Sequence, residues 1–103
     1  MAKVLFTITY TVKPQMREAY LETIQALKEH LVGVRGKDYS VFEHNWKPNR
    51  FTEIYSCNNW QEYEALDDDP DVFVQTLVEK IMNEYIDGGK TEYATLVESD
   101  ARS

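Results

Sequence analysis

Cysteine is nearly absent: Cys57 stands alone among 103 residues, so the chain can form neither an intrachain disulfide nor a multi-cysteine metal site. A reducing cytoplasm is therefore expected. Long hydrophobic runs are also missing. The apolar stretches are a few residues long, against the ~18 that a bilayer-spanning helix requires. The opening Met1-Ala2-Lys3-Val4 leads straight into an alternating pattern, with no apolar core of a secretion signal. Basic residues are scarce, 11 against 18 acidic for a net charge of −7, the wrong sign for gripping a phosphate backbone. Nucleic acid and membrane partners are not expected. No G-x-G-x-x-G, P-loop, H-E-x-x-H or G-x-S-x-G string occurs, which removes support for nucleotide, zinc-protease and hydrolase chemistry.

What is present suits one packed domain over 1–103, with a core from 3 to 98 and a frayed tail over 99–103. Apolar residues make up 43% of the chain and charged residues 28%, enough to build a core. The charge is uneven: residues 1–58 carry a net +2, residues 59–87 a net −8 and residues 88–103 a net −1. The acidic segment reads as a solvated helical face, or as a surface that repels anions or docks a basic partner.

Residues 4–13 alternate with period two. Val4, Phe6, Ile8, Tyr10 and Val12 share one face, and Leu5, Thr7, Thr9 and Thr11 the other, as in a strand. Pro14 suits the first turn of a helix, whose stripe is Met16, Tyr20, Ile24, Leu27 and Leu31; Gly33 and Gly36 stop it. Residues 37–46 and 50–57 make a hairpin around Lys47-Pro48-Asn49. Asn59 and Glu62 form a capping box for a short helix over 60–66. Asp69 as N-cap and Pro70 at the first position then open a longer helix with Val74, Leu77, Val78, Ile81, Met82 and Tyr85 inward, ended by Gly88-Gly89. Residues 90–98 are the last strand. The order β-α-β-β-α-(α)-β predicts an α+β, ferredoxin-like sandwich with helices on one face of an antiparallel sheet. The other face is semi-apolar, which suggests a second copy packed against it.

The strand VLFTITYTVK running into PQMREAYLETIQAL, and the hairpin YSVFEHNWKPNRFTEIYSC running into NNWQEYEAL, resemble the antibiotic-biosynthesis-monooxygenase-like (ABM) domains of the dimeric α/β-barrel superfamily. The resemblance covers about residues 3–98 and is carried by diffuse patterns, so it speaks to fold more than to function. It implies a sheet-to-sheet homodimer, a dimeric α/β barrel, with a small pocket between sheet and helices in each subunit. Known relatives include cofactor-independent oxygenases of polyphenolic compounds, haem-degrading enzymes, and members with no established reaction. The haem-degrading branch uses an Asn of the first strand, where this chain has only Thr7, Thr9 and Thr11. Such domains also often carry a Glu near the end of strand three and a His after the next helix. Here the strand ends Tyr55-Ser56-Cys57, no His occurs over 59–75, and Asp67-Asp68-Asp69 stand nearby.

Among candidate site residues, His44 is a general base for a phenolic proton if its face lines the pocket, or else an exposed histidine at a hairpin end. His30 reads as a solvated histidine at a helix end. Tyr10, Tyr39, Trp46, Tyr55, Trp60 and Tyr93 could line an aromatic pocket, or serve as core and cross-strand partners. Asp67, Asp68, Asp69 and Asp71 lack the glycine and glutamate of a calcium loop, since Val72 and Val78 occupy those places, and are better spent on capping. Neither metal nor cofactor is expected. The functional expectation is a cytoplasmic ABM-like protein acting as a cofactor-independent monooxygenase on an aromatic or polyphenolic molecule. The alternative is a non-catalytic dimeric module that binds a small hydrophobic or aromatic ligand or serves a regulatory role.

Overall fold

The computed structural model describes residues 2–66 and 71–99. Four strands form one sheet: β1 (Val4–Val12), β2 (Asp38–Glu43), β3 (Arg50–Cys57) and β4 (Ile86–Val97). Their order, β2-β3-β1-β4, with antiparallel pairing throughout, is the ferredoxin-like arrangement the sequence suggests. Helices α1 (Arg17–Lys28), α2 (Trp60–Ala65) and α3 (Val72–Lys80) complete it; α1 and α3 each run on into a wider π-type turn, Glu29–Val34 and Ile81–Tyr85. No helix among the described residues is long and apolar enough to cross a membrane.

Register decides which side chains face the helices. Ile8 lies opposite Glu53 and Tyr93, and Tyr10 opposite Phe51, so the even residues of β1 share a face with the odd residues of β3. That face is the core side: Tyr10, Val12, Tyr39 and Phe51 are buried with Tyr20, Ile24, Leu27 and Leu31 of the first helical segment and Ile81 and Tyr85 of the last. The opposite face carries Leu5, Thr7, Thr9, Ile54, Thr52, Phe42 and Leu96, and no helix among the described residues covers it.

Local chemistry explains the joints. Asn49 takes a positive φ of 68° in the β2–β3 loop, a conformation asparagine tolerates better than most residues. Its backbone N–H donates to Glu43 Oε2 at 2.9 Å and its side-chain oxygen accepts from Arg17 Nη1 at 2.9 Å, tying the loop to the start of α1. Arg17 in turn donates through Nη2 to Glu43 Oε1 at 2.8 Å. Together these bonds hold the Glu43 carboxyl down at about 2, with the Arg17 bond the largest cause.

Three local expectations change. Strand β2 ends at Glu43 rather than residue 46, because the chain turns away at His44 to close the loop. The N-cap of α3 is Asp71, which accepts from the N–H groups of Phe73 and Val74; Asp67, Asp68, Asp69 and Pro70 lie outside the described residues. Gly88 does not end the last helix. Strand β4 already begins at Ile86, and Gly88, at φ 73°, lies where the β1–β4 register slips between Val12↔Ile86 and Tyr10↔Thr91.

Candidate functional site

Under the helices, the middle of β3 presents a carboxyl group to the core. Glu53 is 3% exposed and is held by two phenols, accepting from Tyr10 Oη at 2.6 Å and from Tyr39 Oη at 2.6 Å. Tyr10 Oη lies 2.7 Å from Tyr20 Oη, extending the network to α1. Burial pushes the Glu53 carboxyl above its ordinary range, and the two phenolic donors pull against that rise. Burial, followed by the charge of Glu53, also pushes the Tyr10, Tyr39 and Tyr55 hydroxyls up, so all three remain protonated, with Tyr10 and Tyr39 the donors to Glu53. No buried side-chain N or O among the described residues lacks a partner.

Beside this network a cavity of about 340 Å³ opens between sheet and helices. Phe6, Ile8 and Tyr55 line it from β1 and β3, Val74, Gln75 and Val78 from α3, and Leu31 and Leu66 from the ends of the other two helical segments. Its polar lining is concentrated in Arg35, Lys37 and Asp71. A second cavity of about 330 Å³ shares Arg35, Lys37, Tyr55 and Leu66 with the first and reaches Cys57. The Cys57 thiol is buried, which raises its pKa and makes it a poor nucleophile.

Asp71 organises the mouth. One carboxylate oxygen caps α3, while the other lies 2.6 Å from His30 Nε2 and 3.2 Å from Arg35 Nη1. The His30 bond is the main reason its pKa is lowered. His30 is thus a part-buried partner of Asp71, with its ring against Phe73 at 4.6 Å, rather than a solvated helix-end histidine.

The residues singled out from the sequence fall in three places. Tyr10, Tyr39 and Tyr55 lie together on the helix side; Tyr55 lines the cavity and packs on Tyr39 at 4.9 Å between ring centres. Tyr93 shares that face and stacks on Phe6, and Trp60 packs on Tyr63 at the start of α2; both are half-exposed and outside the cavity lining. Trp46, 90% exposed, projects from the β2–β3 loop. His44 stands on the far side of the sheet from the cavity, its Nε2 2.8 Å from Thr52 Oγ1, which is 2.9 Å from Thr9 Oγ1. Sequence reasoning passed over Glu53, Arg35 and Lys37. The signal for Glu53 was legible, a charged residue at an inward position between Phe51 and Tyr55. Among the described residues no group of three or more His, Cys, Asp or Glu side chains is placed to hold a metal ion.

No family model matches the chain, and no curated protein matches it by sequence. Solved structures do. An antibiotic biosynthesis monooxygenase superimposes with a TM-score of 0.68 at 18% identity, over 98% of this chain and 99% of that one. The fold is ABM-like. A Caulobacter crescentus protein, provisionally named an antibiotic biosynthesis monooxygenase, shares this ABM-like fold at a TM-score of 0.77 and 10% identity, over 96% and 92% of the two chains. A conserved protein from Methanosarcina mazei matches at 0.75 and 16%, over 93% and 92%. At these identities the likeness carries the ABM-like architecture and no activity.

Proposed function

We propose that this ABM-like chain is a cytoplasmic homodimer that binds a small aromatic or hydrophobic molecule in the cavity between its sheet and helices. The supporting observation is the cavity itself: its volume suits a ring compound, and Phe6, Ile8, Tyr55, Val74 and Val78 offer it aromatic and aliphatic walls beside a few polar groups. Pairing occurs through the uncovered sheet face, where Phe42 and Leu96 are half-exposed or more. Titration calorimetry with 2-naphthol tests the binding. The protein is expected to bind it, and Val78→Phe, which fills the cavity, is expected to remove binding while leaving the circular dichroism spectrum unchanged. Equal binding by both forms would place the ligand elsewhere.

Cofactor-independent oxygenation is the second reading, favoured by likeness to structures named as antibiotic biosynthesis monooxygenases. There a base takes a proton from the substrate, the delocalised anion adds dioxygen at carbon to give a peroxide that takes that proton back from the base, and the hydroperoxide loses water to leave a carbonyl. His44 is the base this reading assigns; its Nε2 meets Thr52 on the outer sheet face, so a substrate using it competes with the pairing of copies through that face. Oxygen uptake with 1,4-dihydroxynaphthalene separates the two. Uptake abolished by His44→Ala supports oxygenation with His44 as base. Uptake unchanged in that variant removes His44 from the mechanism, and no uptake at all leaves a binding module.

A further inference from the structure

Among the described residues, the cavity lining includes one charge that the fold leaves unpaired. Arg35 is engaged by Asp71, and Asp71 is fully committed to Arg35, His30 and the start of α3. Lys37 lines the same cavity, yet its ammonium makes no hydrogen bond or ion pair among the described residues. Its backbone is fixed. It follows Gly36, which turns the chain at φ 65°, and its backbone N–H donates to Leu31 O at 2.8 Å. Lys37 is half-buried as a residue beside aromatic and aliphatic walls, and an anion meeting its ammonium within the cavity is screened less than it would be in bulk water. Arg35 lines the same wall, engaged by Asp71. Asp38 and Glu62 line the adjoining cavity and not this one.

We propose that the molecule taken by this cavity is an aromatic or alicyclic monocarboxylic acid, its carboxylate bound by Lys37 and its ring packed on Phe6, Ile8 and Tyr55. This rests on the cavity being the ligand site, as argued above. One anionic group matches the single unspent cation; a dianion would meet the acidic side chains of the adjoining cavity. The overall charge of −7 works against anion approach at long range, so recognition depends on the short-range contact with Lys37.

Isothermal titration calorimetry with 2-naphthoate and its neutral near-isostere 2-naphthamide provides the test, on the wild-type chain, Lys37→Met and Lys37→Arg. The wild type is expected to bind naphthoate roughly tenfold tighter than naphthamide, the usual worth of one charge-assisted hydrogen bond. Lys37→Met keeps the aliphatic stem, so naphthamide binding is retained while the preference disappears; Lys37→Arg restores part of it. Equal binding of the two ligands by the wild type overturns the carboxylate inference and leaves the cavity as an aromatic site. A preference that survives Lys37→Met overturns the role of Lys37. Failure of both ligands to bind overturns the ligand site and this inference with it.

Discussion

Glu53 shows how much chemistry one inward position of a strand can hold. The carboxyl costs desolvation, and two tyrosine hydroxyls at 2.6 Å offset that cost. Its pKa is raised from an ordinary value of about 4.5. The folded state therefore holds the proton to higher pH than the unfolded state does. The stability this contributes is complete below about pH 4.5 and is lost as pH climbs toward the raised folded value. Glu43 and Asp71, whose pKa values are lowered, act in the opposite window, losing their contributions as pH falls below the ordinary carboxylate range. Comparison with Glu53→Gln isolates this carboxyl from the other titrating groups. Thermal melts of Glu53→Gln are expected to show a smaller decline in midpoint than the wild type as pH rises above 5, and matching slopes would mean the carboxyl titrates alike folded and unfolded. Glu53→Ala, which strips both tyrosines of their acceptor, is expected to cost about 3 kcal/mol in urea titrations.

At the scale of elements, α3 depends on one residue for its start. Asp71 caps the helix and also binds His30 and Arg35 from the α1–β2 connection, so it fastens two cavity walls to each other. Asp71→Asn keeps a capping oxygen and weakens only the ionic partners, whereas Asp71→Ala removes both. The alanine variant is expected to lower the melting midpoint by about 5 °C and the asparagine variant by less than half of that. Equal losses would show that the ionic contacts, and not the cap, hold this end of α3. Much of this layer was legible in the sequence. The period-two alternation of β1 and the stripe from Tyr20 to Leu31 mark strand, helix and buried face, because burial imposes those periods. Asn59 likewise caps α2, accepting from Glu62 N at 2.9 Å. The cap of α3 was not legible, since four aspartates within five positions offer the same local chemistry and only tertiary partners select among them. The cavity was only partly legible. Tyr55 announces itself as an inward aromatic, but Arg35 and Lys37 belong to a connection whose direction no periodicity encodes. His44 and Tyr39 lie on one strand path, and their opposite sides of the sheet follow from register and odd-even spacing, which hydropathy leaves open when both faces carry aromatics.

For the whole molecule, the proposed dimer rests on the outer sheet face. Its end beside the β2–β3 loop is a polar chain bonded within the protomer, with His44 bonded to Thr52, Thr52 to Thr9, and Arg50 to Thr11 and Glu92. Around that chain lie Phe42 and Leu96, 58% and 50% exposed, with Leu5 and Ile54 half-buried between them. The hydroxyl and imidazole groups already bonded to one another are cheaper to cover than free ones, the Arg50–Glu92 pair is best left at the rim, and the apolar side chains supply the favourable term. The dimer is expected to be governed by those side chains and to be insensitive to salt. Phe42→Glu places a charge on that face without touching the core or the cavity. In native mass spectrometry and light scattering at micromolar concentration, the wild type is expected to be a dimer and Phe42→Glu a folded monomer. Because the cavity lies on the other side of the sheet, the monomeric variant should still bind 2-naphthol. A variant that stays dimeric would move the interface elsewhere, and a monomer that no longer binds would show that the cavity depends on the pairing behind it.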